Sequence, residues 1–217
     1  MIQVHHLESS RSYRIIWLLE ELGLDYEVIT YRRDPSYAAP AALKQIHPLG
    51  KAPVLTDGNL TIAESGAIIE YLLDRYDSEH VWRPHGGQAL LDYRYWLHFA
   101  EGSLMPLLVM RLVLGKVKEK PMPFFARPIA RKLISGIDQL FVQARLTPQL
   151  NLIESWLARH PWFAGETISG ADIQMELALQ LAARRTDLSG YPCIQAYLGR
   201  CCLNVEPSAS DAIRSCK

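Results

Sequence analysis

The apolar positions change period along this chain. Ile2 and Val4 alternate with polar neighbours, the spacing of a strand with one buried face. Ile15, Ile16, Leu18, Leu19 and Leu22 then recur at helical spacing, and Gly23 supplies a stop. Residues 26–31, Tyr-Glu-Val-Ile-Thr-Tyr, are β-branched and aromatic and predict a second strand. Residues 32–48 are polar and broken by prolines, with a short helix over 41–46. Val54-Leu55-Thr56 and Leu60-Thr61-Ile62 flank Asp57-Gly58-Asn59, a hairpin signal. Residues 64–76 place Ile68, Ile69, Leu72 and Leu73 on one helical face. The order β-α-β-α-β-β-α implies a parallel pair from the βαβ unit and an antiparallel edge from the hairpin.

Residues 77–87, with Pro84, Gly86 and Gly87 among charges, read as a linker. Beyond it the strand signals vanish. Residues 90–114 predict a long helix kinked at Pro106, and residues 127–145 another. Thr147-Pro148 has the form of an N-cap with proline at the first helical position, opening a helix to about residue 159. Ser169-Gly170-Ala171-Asp172 opens a further apolar helix to residue 183. Residues 201–207, starting Cys201-Cys202, look irregular. The organisation is an α/β domain over 1–77, a linker over 78–88 and an all-helical domain over 89–217.

Composition narrows the function classes. At 217 residues, 49% hydrophobic and 21% charged, the chain can close a core without disulfides or metal. Lys plus Arg and Asp plus Glu are both 23, so no broad field draws it to nucleic acid or an anionic membrane. Small zwitterionic ligands remain open, and neutrality permits oligomers. The four cysteines all lie in the last 25 residues, without metal spacing, unlike a secreted disulfide scaffold. No basic region followed by an apolar one marks the N-terminus, and the apolar run 104–114 is too short to cross a bilayer. These features lead us to expect a reduced, cytoplasmic protein with no metal and no membrane contact.

Three short segments carry candidate chemistry. Glu8-Ser9-Ser10-Arg11-Ser12 stands where the first helix begins, and the unpaired N–H groups and dipole there favour an anion such as a thiolate. A serine hydroxyl at that point can donate to it, although on local evidence alone Ser9 or Ser10 reads as a helix cap. Gly50-Lys51-Ala52-Pro53-Val54 puts a proline just before a strand. A cis bond there would leave the Ala52 amide and carbonyl open to a peptide ligand; a plain turn proline is the default. Glu64-Ser65 opens a helix, with a carboxylate for an ammonium group and a hydroxyl and N–H for a carboxylate, a pair suited to an α-amino acid.

Taken together, these segments and the order of elements resemble the cytosolic glutathione transferases over nearly the whole chain. Tyr95-Trp96-Leu97-His98-Phe99-Ala100-Glu101-Gly102 resembles the first long helix of a fungal and bacterial branch, and Ser169-Gly170-Ala171-Asp172-Ile173 the family's buried capping motif. The resemblance implies a thioredoxin-like α/β domain followed by a helical bundle, and a serine-type enzyme of theta- or phi-like character. It implies a cis Ala52–Pro53 bond, Ala52 paired with the cysteinyl part of glutathione, and Glu64 and Ser65 on its γ-glutamyl end. Lys51 is a candidate for the glycyl carboxylate, with Lys44 and Arg33 weaker. Counting back from Arg14 places the thiol-activating hydroxyl at Ser10, with Ser9 as the alternative. Glutathione would be a co-substrate with no further cofactor, the second substrate a small hydrophobic electrophile or a peroxide, and the assembly a homodimer. The rival readings are a non-catalytic binding protein of the same fold and an interaction module. Leu104, Met105, Leu108, Met110 and Arg111 are weighed as electrophile-pocket residues against a core role, Glu101 as a surface residue or a reach across the dimer, and His98 as packed.

Overall fold

The computed structural model describes residues 1–8, 10–34 and 38–204. Strands β1 (Ile2–Leu7), β2 (Tyr26–Tyr31), β3 (Val54–Asp57) and β4 (Leu60–Ala63) form one sheet in the order β2-β1-β3-β4. β1 and β2 run parallel with Val4 opposite Val28; β1–β3 and β3–β4 run antiparallel. Helices α1 (Tyr13–Glu21), α2 (Ala41–Ile46) and α3 (Ser65–Tyr76) complete this half. The parallel pair needs a crossover, and α1 provides it; the antiparallel pair needs only the turn at Gly58. Ile15, Leu18 and Leu19 of α1 and Ile68, Ile69 and Leu72 of α3 are buried, as their helical spacing predicts.

The second half is helical: α4 (Gly87–Phe99), α5 (Met105–Glu119), α6 (Arg127–Ile137), α7 (Ala144–Leu157), α8 (Gly170–Ala183) and α9 (Pro192–Asn204). No strand occurs there among the described residues. α8 is the central rod, buried on nearly every side and packed against α1, α3 and α4. A Cβ on Gly170 would stand 2.8 Å from Ile69 Cγ2 and 3.0 Å from Leu73 Cδ1, so glycine lets α8 meet α3 at its first turn. That first turn is fixed by a reciprocal capping box. The Ser169 N–H and hydroxyl both donate to Asp172 Oδ2 at 2.8 Å, and the Phe163 N–H donates to Oδ1 at 3.0 Å.

Five sequence expectations are corrected. The long helix is interrupted by a π-helical turn, Ala100–Leu104, rather than kinked at Pro106, which falls harmlessly in the first turn of α5. A second π turn, Asp138–Gln143, divides the stretch expected as one helix. Thr147-Pro148 does not start a helix: Pro148 lies inside α7, and Thr147 Oγ1 accepts from Gln143 Nε2 at 2.7 Å. The buried stripe Leu146, Leu150, Ile153 and Leu157 packs across the proline, and that packing outweighs the local signal. Cys201 is helical and buried, not irregular, because α9 lays it against the core; residues 205–217, and so Cys216, lie outside the described residues. His98, expected to be packed, is exposed, since it points away from the face carrying Trp96, Leu97 and Phe99. Helical residues 87–119, taken as one run, are long and apolar enough to cross a membrane by length and composition. In this fold Tyr93, Trp96, Leu104 and Leu108 of that run are core residues.

Candidate active site

Two adjoining cavities open along the edge where the α/β half meets the helices. The smaller, about 230 Å³, is lined by Arg11, His47, Lys51, Ala52, Pro53, Glu64, Ser65 and Glu101. The larger, about 630 Å³, takes in Leu7, Ser10 and Tyr13, and runs up to Met105, Val109, Leu112, Leu177 and Leu181 of α5 and α8. Arg11, Lys51 and Ala52 border both, so the two form one continuous cleft.

The Ala52–Pro53 bond is cis. Pro53 is buried ahead of β3, while Ala52 is half-buried and Lys51 exposed on the rim. Glu64 links β4 to α3 with φ 74° and ψ 120°, a region that costs a non-glycine residue about 1–3 kcal/mol. That bend presents the exposed Glu64 side chain to the small cavity and leaves Ser65 buried at the first turn of α3. Such strain recurs where a backbone must meet a ligand.

Beneath them lies a network absent from the sequence reading. Arg14 is fully buried, and its Nη1 donates to Gln174 Oε1 at 2.6 Å, Glu101 Oε1 at 2.7 Å and Ser65 Oγ at 3.2 Å. Gln174 Nε2 donates to the same Ser65 oxygen at 3.1 Å. Arg11 Nε pairs with Glu101 Oε1 at 3.2 Å. Glu101 is thus not a simple surface residue: the π turn brings it onto two arginines of its own chain, at the border of the smaller cavity. Arg14 served in the sequence only as a counting mark for the serine; its burial depends on partners up to 160 residues away.

Ser10 stands in the turn ahead of α1, on the wall of the larger cavity. Its Oγ accepts the Ser12 N–H at 3.3 Å and is hydrogen-bonded to Ser12 Oγ. Ser12 is the N-cap position of α1, is fully buried, and its Oγ lies 3.2 Å from His6 Nδ1. Burial lowers the His6 pKa, against a smaller opposing pull from Glu8, so the ring is neutral at pH 7. Ser9, the alternative candidate, lies outside the described residues. Below the cavity floor the Tyr13 hydroxyl donates to Glu176; burial and that carboxylate raise the tyrosine pKa, and burial raises that of Glu176.

Of the residues weighed for the electrophile pocket, Met105 lines the larger cavity. Leu104 and Leu108 are core, Met110 faces an adjoining open groove that shares Met105 and Val109 with the larger cavity, and Arg111 pairs with Asp138 at 3.0 Å in a further recess. A helix shows every direction in turn, so hydrophobicity alone could not select the cavity face. Lys44 packs its side chain under Gly50, and Arg33 lines the larger cavity, its Nε donating to the Glu8 carbonyl at 3.0 Å.

A parallel βαβ unit, an antiparallel hairpin entered through a cis-proline, and a helical domain closing a cleft over both together define a thioredoxin-like domain with an all-α partner. The sequence matches the family models "Glutathione S-transferase, N-terminal domain" over residues 1–74 and "Glutathione S-transferase, C-terminal domain" over 110–203. It is 36% identical over 207 residues to Glutathione S-transferase 1 of Saccharomyces cerevisiae, covering 91% of this chain and 88% of that protein. It is 38% identical over 192 residues to Glutathione S-transferase 3 of Schizosaccharomyces pombe, covering 88% and 78%. A glutathione S-transferase from Actinobacillus pleuropneumoniae superposes with a TM-score of 0.76 at 36% identity, over 98% of this chain and 91% of the other. The chain belongs to the glutathione S-transferase family.

Proposed function

We propose that this glutathione transferase binds glutathione in the smaller cavity, with its sulfur against the start of α1, and holds it as the thiolate through Ser10. The observation that carries the reading is the chain His6–Ser12–Ser10 ending on the cavity wall. With the proton of the neutral His6 ring on Nδ1, His6 donates to Ser12 and Ser12 donates to Ser10. Ser10 then accepts twice from Ser12, from its N–H and from its hydroxyl, and its own proton is left for the cavity.

A thiol near pKa 8.5 is mostly protonated at neutral pH, and the thiolate is the nucleophile. A hydrogen bond to a charged group contributes about 1.5–3 kcal/mol, and the positive end of α1 adds to it. The rest of the tripeptide is placed by Ala52 through its backbone, by Lys51 at the glycyl carboxylate, and by Glu64 and Ser65 at the γ-glutamyl end. Pro53 shapes the turn. Ser65 is held by Arg14 and Gln174, so its hydroxyl accepts two bonds and is oriented before ligand arrives.

The thiolate attacks a small apolar electrophile in the larger cavity: an S–C bond forms and the leaving group departs with its electron pair. With a peroxide, sulfur takes the terminal oxygen, the alcohol leaves, and a second glutathione reduces the sulfenic acid to disulfide and water. Glutathione is the co-substrate and no further cofactor enters. A homodimer is supported by the exposed Leu91, Tyr95, Met110 and Val113 on α4 and α5, and a cytoplasmic setting by the absence of a disulfide scaffold in the sequence. The reading is tested by conjugation kinetics of Ser10→Ala: kcat/KM falls by about 10–100-fold if one charge-assisted hydrogen bond is lost, and full retained activity refutes it.

A further inference from the structure

Charge is unevenly spread along this neutral chain. α5 ends at Glu119 and α6 begins at Arg127, so residues 120–126 are the bend between two consecutive helices. Residues 115–132, centred on that bend, hold six cations, Lys116, Lys118, Lys120, Arg127, Arg131 and Lys132, against the one acid Glu119. The rest of the chain has 17 cations and 22 acids, so overall neutrality conceals one strongly basic segment. Lys118, Lys120, Arg127 and Arg131 line a single recess of about 260 Å³, which places these four charges side by side. Lys118, Lys120, Arg131 and Lys132 are exposed, and none of them is in an ion pair among the described residues. Like charges this close repel, and an anionic surface relieves that repulsion.

Apolar side chains stand among the cations, turned to solvent. Phe124 and Phe125 in the bend are 83% and 67% exposed, and their rings meet edge to face with centroids 5.7 Å apart. Ile129, Leu133 and Ile137 follow Phe125 at four-residue intervals along α6, and all three are exposed. Of α6, Ile134 is the buried residue. The helix thus carries an outward apolar stripe beside Arg131 and Lys132. A helix of that form lies in the interfacial layer of a bilayer, its apolar side chains at the acyl boundary and its lysines and arginines among the phosphates.

We propose that residues 118–137 dock this protein on an anionic lipid surface. Phe124, Phe125 and the α6 stripe enter the interface, while Lys118, Lys120, Arg131 and Lys132 meet the headgroups. Charge selects the occupant. A second copy meeting this patch across a two-fold axis would set the same cations against each other. A nucleic acid would satisfy the cations and leave the aliphatic stripe in water. An anionic bilayer takes up both features. The expectation of no membrane contact rested on net charge, which averages this segment away. Apolar electrophiles concentrate in lipid, so docking also brings a transferase to that class of substrate.

The test is co-sedimentation of the full chain with extruded vesicles, one set an equimolar mixture of phosphatidylglycerol and phosphatidylcholine, the other phosphatidylcholine alone. Binding should be at least about tenfold stronger on the anionic set and should weaken as ionic strength rises. Phe124→Ala/Phe125→Ala should weaken binding to the anionic set by about tenfold. Lys118→Gln/Lys120→Gln/Arg131→Gln should remove the difference between the two sets. All five positions are exposed, so urea unfolding of both variants should match wild type. Absence of binding to the anionic vesicles, equal binding to the two sets, or a phenylalanine variant that binds like wild type would each overturn the proposal. So would binding to polyglutamate of equal strength with the same dependence on the phenylalanines, which would assign the patch to an acidic polypeptide. Lipid-free self-association that disappears in the phenylalanine variant would assign it to a second copy and overturn the proposal as well. No outcome depends on turnover, so failure of the catalytic reading leaves this one standing.

Discussion

Asp172 is the residue whose replacement most sharply tests how the first turn of α8 is held. Its carboxylate is fully buried and accepts from two backbone N–H groups, Ser169 and Phe163, and from the Ser169 hydroxyl. Asp172→Ala strands both backbone donors. A buried donor without a partner costs about 1–3 kcal/mol, so the loss is about 2–6 kcal/mol, with the hydroxyl free to rotate away. One contribution runs the other way. Burial, opposed by those hydrogen bonds, raises the carboxyl pKa from the ordinary 3.8 to about 6. At about 1.4 kcal/mol per factor of ten, keeping this group ionised at pH 7 costs about 3 kcal/mol. The folded form binds its proton more tightly than the unfolded chain. Its stabilising effect is therefore complete below about pH 4 and lost as pH rises through 6. The assay is urea unfolding of wild type and Asp172→Ala from pH 4 to pH 8. The gap between them should be largest near pH 4 and narrow by up to about 3 kcal/mol by pH 7. A gap that widens with pH, or a variant as stable as wild type throughout, would refute this account of the capping box.

Two further outcomes are expected. Arg14→Met keeps the volume but leaves Gln174 Oε1 without its donor and Glu101 with Arg11 alone. It should cost about 1–3 kcal/mol in urea unfolding and raise KM for glutathione through the loosened Ser65, whereas retained stability would mean the network is ornamental. Glu64→Gly removes the strained φ of 74° together with the carboxylate. Thermal unfolding should show a gain of about 1 kcal/mol while glutathione affinity falls, and a loss of stability would show that the bend carries no strain.

Most of the α/β half was legible before any coordinates, because its signals are local. Tyr26–Tyr31, Ala41–Ile46 and the hairpin about Gly58 are written in β-branched runs, turn residues and spacing over a few positions. The same holds for Ser169 and Asp172, three residues apart. The helical half misled wherever packing overrode a local cue. Thr147-Pro148 has the chemistry of a helix start, yet a stripe of buried leucines runs through it. Neither π turn has a sequence signature, since each is one extra residue accommodated inside a helix. Of the cleft, Lys51, Ala52, Pro53, Glu64 and Ser65 were singled out by their motifs, and they line one cavity. Arg14, Gln174, Ser12 and His6 were not, because their roles come from partners brought together by the fold. A buried arginine at position 14 looks, in sequence, like any charged residue on a helix.

The central claim is that a hydroxyl at the start of α1 keeps the tripeptide's sulfur ionised. The direct measurement is the ultraviolet thiolate absorbance of enzyme-bound glutathione, titrated with pH in wild type, Ser10→Ala and Ser12→Ala. The account predicts that the bound thiol ionises well below its ordinary value near 8.5, and that Ser10→Ala returns it upward by about 1–2 pH units, with Ser12→Ala giving a smaller rise in the same direction. An identical titration in wild type and Ser10→Ala, with glutathione bound in both, would contradict it.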